Sequence, residues 1–379
     1  FLVPEENLML PEVLHDAGYQ TAGFIGGYPL VRPYAFNQGF DYYETRFDPT
    51  SPGLKVYGSQ RSAQGLTDGV IHWLKKRQTE TPLFLFVHYF DVHAPYMAPE
   101  PYYGMYRRDD SDVTGTVDDT FRVKDALRKH PLQARRESLA LTSLYAGEVS
   151  YVDAQVGRLI QWLRETGMLE NTLVILTSDH GETMHEHPMI EAWDHGYGVY
   201  RTTQHIPLII RHPYLSGGKR EPALMSNIDV APTLLDLLKV PIPSRMEGVS
   251  YAGAVTGAPF TPRLHAYAEA TKPGADDYED GHRWRGELKP KMVRTSSSKL
   301  MLHPKRNAWR FYDLVADPKE KRDVHAKTPV PVLEPLERAL DKWIESADPL
   351  DAQKDVDEKN REMLNALGYF EGSDAPQSP

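Results

Sequence analysis

The strongest constraint on the fold comes from short apolar runs that do not alternate with polar residues. Such runs stand at Leu83 to Val87, Leu173 to Leu176 and Ile206 to Ile210. Strands that are apolar at nearly every position are typical of a parallel sheet covered on both faces, and Leu83 to Val87 is the clearest case. Helical patterns lie between the runs, as they do in consecutive βα units. The sequence therefore predicts an α/β protein with a mostly parallel sheet flanked by helices.

Helices are predicted from spacing and from end signals. Pro11 to Ala17 is predicted to be a helix closed by Gly18, and Thr21 to Ile25 the strand that follows it. Asp229 to Leu238 begins with cap and first-turn residues, which predict another helix. The polar stretch 104–142 is expected to be an insertion over the sheet rather than core. One long amphipathic helix is predicted from apolar residues that step by three and four positions: Tyr145, Val149, Val152, Val156, Leu159 and Leu163.

The character of the chain changes after about Pro262. Residues 271–290 are rich in glycine, proline and charge, which predicts a long loop. Lys291 to Leu302 and Trp309 to Leu314 predict strands of a small antiparallel sheet, and residues 331–346 predict a helix. The predicted parts are an α/β domain at 1–262, a C-terminal subdomain with the small antiparallel sheet at 263–348, and a polar tail at 349–379.

Composition excludes several classes of function. The formal net charge is −10, whereas a general nucleic-acid surface needs clustered Lys and Arg to meet the phosphates. No window approaches the roughly 18 apolar residues of a membrane span. Cysteine is absent, which excludes disulfides, thiolate metal sites and cysteine nucleophiles. An anionic substrate is still compatible with the acidic chain, because a bound metal ion can invert the local field. Composition leaves the compartment and the oligomeric state open.

The most informative polar pair is Asp179-His180, which directly follows the apolar run Leu173 to Leu176. Open α/β sheets place their ligand sites at the carboxyl ends of strands. A neighbouring carboxylate and imidazole can bind one divalent cation, with Glu182 as a supporting carboxylate or as the start of a helix. The alternative is that Asp179 only caps a following helix, a common role of Asp after a strand. This motif alone leaves the two interpretations balanced.

Histidines are concentrated around this pair. Six of the chain's fifteen lie between His180 and His212, and their density favours the ligand interpretation. His195 is the second candidate, because it precedes the next predicted strand and so belongs to a loop over the same sheet edge. The other four are expected to be hydrogen-bonded loop residues or structural residues: His185, His187, His205 and His212.

A third candidate is His93, which follows the apolar run Leu83 to Val87. Ala94 precedes a proline and is therefore excluded from the helical region, so the segment is extended. That conformation would hold His93 at the sheet edge as an anion contact or a proton donor. The alternative is a loop histidine packed on Tyr89 or Tyr96, and from the sequence alone this alternative is slightly favoured.

Together these segments resemble the sulfatase family of the alkaline-phosphatase superfamily. The similarity covers nearly the whole chain, and the ordered series is highly specific although each motif is weak alone. The resemblance implies an alkaline-phosphatase/sulfatase-like sheet. The motifs that carry it are Leu10 to Ala22, Asn37 to Asp41, Phe86 to Tyr96, Tyr145 to Asp153, Thr177 to Glu182, Ser226 to Leu235, Met246 to Gly248, Phe311 to Leu314 with Asp317-Pro318, and Ala366 to Tyr369.

The resemblance also implies a reaction and a site. It implies a sulfuric ester hydrolase whose divalent cation, usually Ca²⁺ with Mn²⁺ or Mg²⁺ as alternatives, is bound by Asp179 and His180. His93 is similar in position to the histidine that contacts the sulfate and protonates the leaving oxygen. His195 falls where many relatives have a lysine on the sulfate, and it is expected to replace that cation. The implied substrate is a sulfate-ester small molecule or glycan, and the implied location is periplasmic or secreted.

The attacking group is the part of this chemistry that the sequence does not supply. In the family it is a formylglycine made from Cys or Ser in a Cys/Ser-x-Pro-x-Arg motif, and no such motif occurs. Pro241 to Arg245 has Pro in the leading position and is rejected. We expect that the chain lacks the upstream segment with the nucleophile and a metal-binding Asp pair, and that it is inactive alone. The alternatives are a phosphonate or phosphodiester hydrolase of the same superfamily and a non-catalytic fragment.

Overall fold

A computed structural model describes residues 2–47, 60–107, 111–188, 190–271, 289–304 and 307–346. They form two compact units, one ending at Leu169 and the other running from Glu170 to Pro349. The predicted tail at 349–379 and most of the predicted loop at 271–290 lie outside the described residues. Within the described ranges, no helix combines the length and the apolar character that a bilayer crossing requires.

The first unit is built on a parallel sheet. Strand β1 (Gln20–Ile25) lies between β2 (Tyr42–Glu44) and β3 (Leu83–His88), and both pairings are parallel. The first predicted helix and strand are confirmed, and Gly18 follows the helix at φ +87°, in the left-handed region that favours glycine. The helices of this unit are α1 (Leu10–Asp16), α2 (Ala63–Lys76), α3 (Tyr102–Met105), α4 (Val117–Lys129) and α5 (Arg135–Glu165).

Strand β3 forms where it was predicted, but the prediction that it is covered on both faces is wrong. Its residues are only partly buried, and Phe86 is 39% exposed. The reason is its position, because β3 stands at the edge of the three-stranded sheet among the described residues. The central strand β1 instead carries the fully buried side chains, such as Phe24 and Ile25. The apolar run therefore predicted a strand but not its place in the sheet.

Helix α5 starts earlier than its apolar spacing predicts and buries a different face. Val149, which was predicted to face the core, is 44% exposed. Leu159 and Leu163 are buried as predicted. In the preceding turns, the buried residues are Ser138, Ala140, Leu141, Leu144, Gly147, Glu148, Tyr151 and Gln155. The buried face differs from the predicted one because three polar side chains, Ser138, Glu148 and Gln155, lie inside, and hydrophobic periodicity cannot include them.

The described part of the stretch 104–142 is largely helical from Val117 onward and contributes to the core, so its prediction as an insertion outside the core is wrong. It contains α4 and the beginning of α5. Thr116 caps α4 by accepting a hydrogen bond from Asp119 N at 3.2 Å. Val123 and Leu127 of α4 are almost fully buried. The polar composition of this stretch therefore belongs to the outer face of an amphipathic helix.

The second unit contains two antiparallel sheets. Strands β4 (Val174–Thr177) and β5 (Leu208–Arg211) pair with each other, and both were predicted, although their pairing is antiparallel. The second sheet runs in chain order through β6 (Ala266–Glu269), β7 (Lys291–Arg294), β8 (Ser298–His303) and β9 (Ala308–Asp313). The helices of this unit are α6 (Arg201–Gln204), α7 (Val230–Leu237), α8 (Ala252–Thr256) and α9 (Val330–Glu345).

The four-stranded sheet and α9 confirm the predicted C-terminal antiparallel sheet and helix, with one correction. The run Lys291 to Leu302 is a hairpin of two strands rather than one strand, because a turn closes where Thr295 N donates to Ser298 O at 2.9 Å. The side chains that join this sheet to α9 are buried together: Val293, Leu300, Phe311, Leu333, Leu336 and Leu340.

Asp229 precedes α7 as predicted, but its side chain does not cap that helix. The carboxylate is fully buried and forms an ion pair with Arg263, whose Nη2 lies 2.6 Å from Oδ1. Backbone amides of Ser226 and Val249 also donate to it, at 2.9 and 2.8 Å. A buried carboxylate with these partners ties together three segments of the second unit.

Candidate active site

The Asp179-His180 pair lies in a tight turn directly after β4. Ser178 Oγ donates to His180 O at 2.6 Å, and Asn227 Nδ2 donates to Asp179 O at 2.9 Å. In the part of the chain that the structure describes, no helix begins between this turn and Arg201. The interpretation of Asp179 as a helix cap is therefore wrong.

The two side chains of the pair point toward a common position. His180 Nε2 lies 3.5 Å from Asp179 Oδ2, while Asp179 Oδ1 accepts a hydrogen bond from His180 N at 2.9 Å. His180 Nδ1 is 2.8 Å from Gly181 O. A carbonyl oxygen can only accept, so Nδ1 carries a proton, and in the neutral ring the lone pair is on Nε2. The Asp179 side chain is 79% exposed and that of His180 37%, so solvent reaches both.

A divalent cation fits this arrangement. Metal-binding imidazoles usually donate their second ring nitrogen to a carbonyl or carboxylate, which is what His180 does toward Gly181. Carboxylate and imidazole together suit Ca²⁺, Mn²⁺ or Mg²⁺ when further oxygen ligands are present. The described residues contain no group of three or more His, Asp or Glu side chains placed for a metal. Within these residues the pair would contribute at most two ligands.

His195 lies against the pair. Its ring stacks on the ring of His180, with centroids 4.1 Å apart and planes at 28°. Its Nδ1 lies 3.2 Å from Glu182 Oε2, and the two side chains are only 17% and 12% exposed. No helix starts at Glu182, so of its two expected roles only that of a supporting carboxylate agrees with the structure. The imidazole that it contacts is His195.

The loop that carries His195 is closed by backbone hydrogen bonds and by a buried carboxylate. Thr183 N donates to Asp194 O at 3.2 Å, and Asp194 N donates back to Thr183 O at 3.4 Å. Glu191 is fully buried and accepts from Tyr197 N at 2.7 Å and Thr183 Oγ1 at 3.2 Å. Burial raises the pKa of Glu191 to about 8. Sequence reasoning missed this residue, whose only signal is an acidic side chain in an apolar run.

The remaining histidines of the cluster have packing contacts. His187 stacks on Tyr200 with centroids 3.9 Å apart. Burial, with a smaller contribution from Lys321, lowers the pKa of His187 to about 4. His205 ends α6, and His212 follows β5. These positions agree with the loop and structural roles expected for them.

His93 belongs to the first unit, whereas the other three candidates belong to the second. Its ring stacks on Phe90 with centroids 4.6 Å apart and planes at 15°. Its Nδ1 lies 2.9 Å from Ala94 O, so this nitrogen carries the ring proton. The sequence had suggested Tyr89 or Tyr96 as packing partners, and Phe90 was not considered.

Comparison with known families decides the classification. The model of the sulfatase family matches residues 2–240, which is more than half of the chain. The chain belongs to the sulfatase family. A second family model, for the C-terminal region of N-sulphoglucosamine sulphohydrolase, matches residues 191–346 of this sulfatase-family chain. The predicted family and the predicted fold class are thereby confirmed.

Individual sulfatases are distant from this member of the family. The N-acetylglucosamine-6-O-sulfatase of Bacteroides thetaiotaomicron is 26% identical over 401 residues, which cover 84% of this chain and 68% of that protein. The arylsulfatase of Clostridium perfringens is 28% identical over 260 residues, covering 66% of this chain but only 50% of the relative. The chain therefore spans between half and about two thirds of the length of these relatives.

The solved structures support the same fold. A protein in complex with its substrate D-glucosamine-2-N,6-O-disulfate superposes with a TM-score of 0.67 at 21% identity, over 91% of this chain and 83% of that one. At this identity the similarity establishes the fold of the sulfatase-family chain and nothing about its substrate.

Proposed function

We propose that this chain supplies the metal pair and the sulfate-facing histidines of a sulfuric ester hydrolase. The observation that carries the proposal is the Asp179-His180 turn with the His195 ring stacked on it, in a chain of the sulfatase family. The proposed substrate is a sulfate ester of a small molecule or a glycan. Two of the comparisons favour an amino-sugar glycan, namely the N-acetylglucosamine-6-O-sulfatase and the C-terminal model matched by residues 191–346.

The proposed metal ligands are Asp179 and His180. Asp179 would contribute carboxylate oxygen, and His180 would contribute Nε2, whose lone pair is directed by the bond from Nδ1 to Gly181 O. When bound, a divalent cation stabilises negative charge on the group that is transferred. Ca²⁺ is proposed first, with Mn²⁺ and Mg²⁺ as alternatives, because an imidazole beside a carboxylate is also compatible with manganese.

The two further histidines have separate proposed roles. His195 would face the sulfate as a cation, and the contact of its Nδ1 with Glu182 Oε2 fixes its ring. His93, with its ring doubly protonated, would give the Nε2 proton to the leaving oxygen and become neutral, while Nδ1 keeps its proton on Ala94 O. Proton donation removes the cost of expelling an alkoxide, and the cationic ring of His195 offsets charge on the sulfate oxygens.

The nucleophile is not assigned to a residue of this chain. The family resemblance implies a formylglycine, but the Cys/Ser-x-Pro-x-Arg motif that would generate it does not occur in these 379 residues. A test of turnover therefore needs a protein that contains this motif together with the chain.

The deciding assay compares two substrates with the same leaving group, an aryl sulfate and an aryl phosphonate monoester. We expect turnover of the sulfate to exceed that of the phosphonate by at least about a hundredfold in kcat/KM, equivalent to roughly 2.7 kcal/mol in transition-state stabilisation. Turnover of the phosphonate alone would identify a phosphorus ester hydrolase and refute the proposal. The variant Asp179→Ala serves as the control for a contaminating activity, since it removes a proposed metal ligand.

A further inference from the structure

A buried ion pair at the C-terminal sheet is connected to the candidate site by hydrogen bonds to a backbone segment that lies between them. Lys299 of β8 and Glu320, which follows β9, are both fully buried, with Nζ and Oε1 2.6 Å apart. This is a close ionic contact rather than a well-aligned hydrogen bond, since Oε1 has no hydrogen-bond partner. Burial lowers the pKa of Lys299 to about 8, against the opposing effect of Glu320.

Both members of the pair bind the backbone of one segment, residues 199–203. Lys299 Nζ donates to Val199 O at 2.9 Å. On the same segment, Arg201 N donates to Glu320 Oε2 at 2.8 Å. A carbonyl and an amide two residues apart are thus held by a cation from β8 and an anion from the segment after β9, a contact that an apolar pair cannot make.

The other side of the 199–203 segment contacts the metal motif. Gly181 N donates to Thr203 O at 2.9 Å, and the hydroxyls of Thr183 and Thr202 are 2.7 Å apart. A Cβ atom on Gly181 would lie 2.1 Å from Thr202 O. This distance is far inside van der Waals contact, so a displacement of the segment has to displace the turn that carries Gly181.

Joining two segments by a buried ion pair carries a large desolvation penalty. Charges taken out of water lose their hydration, and a well-packed apolar pair often gives equal or greater stability. Glu320 also has φ +54°, in the left-handed region that disfavours side chains with a Cβ. Arg294 stands directly opposite Lys299 in the β7–β8 register, where two like charges repel. Stability alone does not account for such a pair, whereas control of local geometry does.

We propose that Lys299 and Glu320 are positioning residues for the proposed metal pair, Asp179 and His180, and for His195. They fix the 199–203 segment, which in turn fixes the turn at Gly181 and the end of the loop that carries His195. The consequence for metal binding rests on the proposed function, whereas the consequence for backbone geometry does not.

Hydrogen exchange of single amides in the 379-residue protein tests the geometry. The double variant Lys299→Met/Glu320→Gln removes both charges without leaving one unpaired, whereas Glu320→Gln alone keeps both an acceptor for Arg201 N and the Lys299 donor for Val199 O. We expect the amide of Gly181 to exchange at least about tenfold faster in the double variant and less so in the single one, relative to the buried amide of Leu235 in the same unit.

The matched control is an exposed ion pair of the same unit, Arg338 with Glu334 on α9, at 2.5 Å and 65% and 53% exposure. The variant Arg338→Met/Glu334→Gln should leave the exchange at Gly181 unchanged. If Lys299→Met/Glu320→Gln lowers the melting temperature but leaves the ratio of Gly181 to Leu235 exchange unchanged, the pair only stabilises the fold and the proposal is wrong.

A titration with Mn²⁺ alone tests the consequence for the metal pair. The paramagnetic ion should broaden the ring signals of His180, and the double variant should need about tenfold more Mn²⁺ for the same effect. If the wild-type protein shows no broadening, the proposed metal site fails while the exchange result still decides the geometry. If the wild type and the double variant respond equally, the pair does not position the metal ligands.

Discussion

The ring orientation of His180 is the residue-scale feature with the most consequence for chemistry. The hydrogen bond from His180 Nδ1 to Gly181 O turns Nε2 toward Asp179 Oδ2. An imidazole nitrogen and a carboxylate oxygen therefore lie side by side, 3.5 Å apart. A neutral imidazole alone binds a hard cation poorly, because such cations prefer charged oxygen. The carboxylate of Asp179 should therefore supply most of the affinity.

Replacing that carboxylate gives the first prediction. Asp179→Ala should abolish the broadening of His180 signals by Mn²⁺, and in a protein with the nucleophile motif it should lower kcat/KM by at least about a thousandfold. His185→Ala is the matched control, since His185 was assigned to the loop rather than to the metal, and its effect should be small. Retention of Mn²⁺ broadening in Asp179→Ala would show that the pair is not the metal site.

Glu182 gives a second prediction at this scale. Its Oε2 accepts from His195 Nδ1, so Glu182→Ala should let the ring rotate, and the Nδ1 proton should exchange too fast for detection by NMR. Glu182→Gln retains an acceptor oxygen and should preserve the signal, although the stabilising negative charge is lost. Equal signals from His195 in the wild type and Glu182→Ala would mean that this contact does not hold the ring.

Residue by residue, the sequence predicted contacts that follow from local order and missed those made across the chain. Asp179, His180 and His195 could be named because they follow one strand or precede the next. Asn227 binds Asp179 across 48 residues, and no local pattern connects the two. Glu191 was missed for a related reason, because its partners are backbone amides and hydroxyls whose position depends on the folded loop.

At the scale of elements, periodicity identified helices and strands but did not fix which faces they bury. The displaced face of α5 illustrates this, since Glu148 is 3% exposed and Gln155 7%. Asp91 lies in the same unit, with one oxygen accepting from Ala63 N at 2.8 Å, just after the capping residue of α2. Burial raises the pKa of Asp91 to about 6, and burial together with the charge of Asp91 raises that of Glu148 to about 9.

The pKa of Glu148 predicts how stability depends on pH. The pKa of Glu148 in the folded protein, about 9, lies above the ordinary glutamate value of 4.5, so the folded state keeps a proton that the unfolded state has released. Its contribution to stability is complete below pH 4.5 and is lost as pH rises toward 9, at up to about 1.4 kcal/mol per pH unit. Glu148→Gln stays neutral throughout and should flatten this decline. Urea unfolding at several pH values between 5 and 8 measures how steeply the free energy of unfolding declines with pH in each protein.

The control for this experiment is Glu165→Gln, at the exposed end of the same helix. It should leave the slope of the unfolding free energy against pH unchanged. An unchanged slope in Glu148→Gln would show that the carboxyl is already ionised at neutral pH and that burial does not hold its proton.

At the scale of the whole molecule, the ordered motifs of the sequence identified the family but did not predict every strand pairing. The two family models together reach from residue 2 to residue 346, so the fold could be predicted from ordered motifs although pairwise identities are below 30%. The strand pairing in the second unit could not, since β4 and β5 have the apolar composition of parallel strands yet pair antiparallel. Composition reports burial, whereas pairing direction depends on the path of the connection between strands.

The shortage of metal ligands gives the last prediction. Among the described residues, no group of three or more His, Asp or Glu side chains is placed to hold a cation, so the proposed ligands are the two side chains of Asp179 and His180. Calcium usually takes six to eight oxygen ligands, and sites with few protein ligands bind it with dissociation constants of about 10⁻⁴ to 10⁻³ M or weaker. Calorimetry on the 379-residue protein should therefore give a dissociation constant of about 10⁻³ M or weaker.

The net charge of −10 also attracts cations without a specific site, so the meaningful quantity is the difference in Ca²⁺ affinity from Asp179→Ala at equal ionic strength. Binding of Ca²⁺ below about 1 μM that disappears in Asp179→Ala would contradict the prediction, because affinity at that level needs ligands beyond this pair.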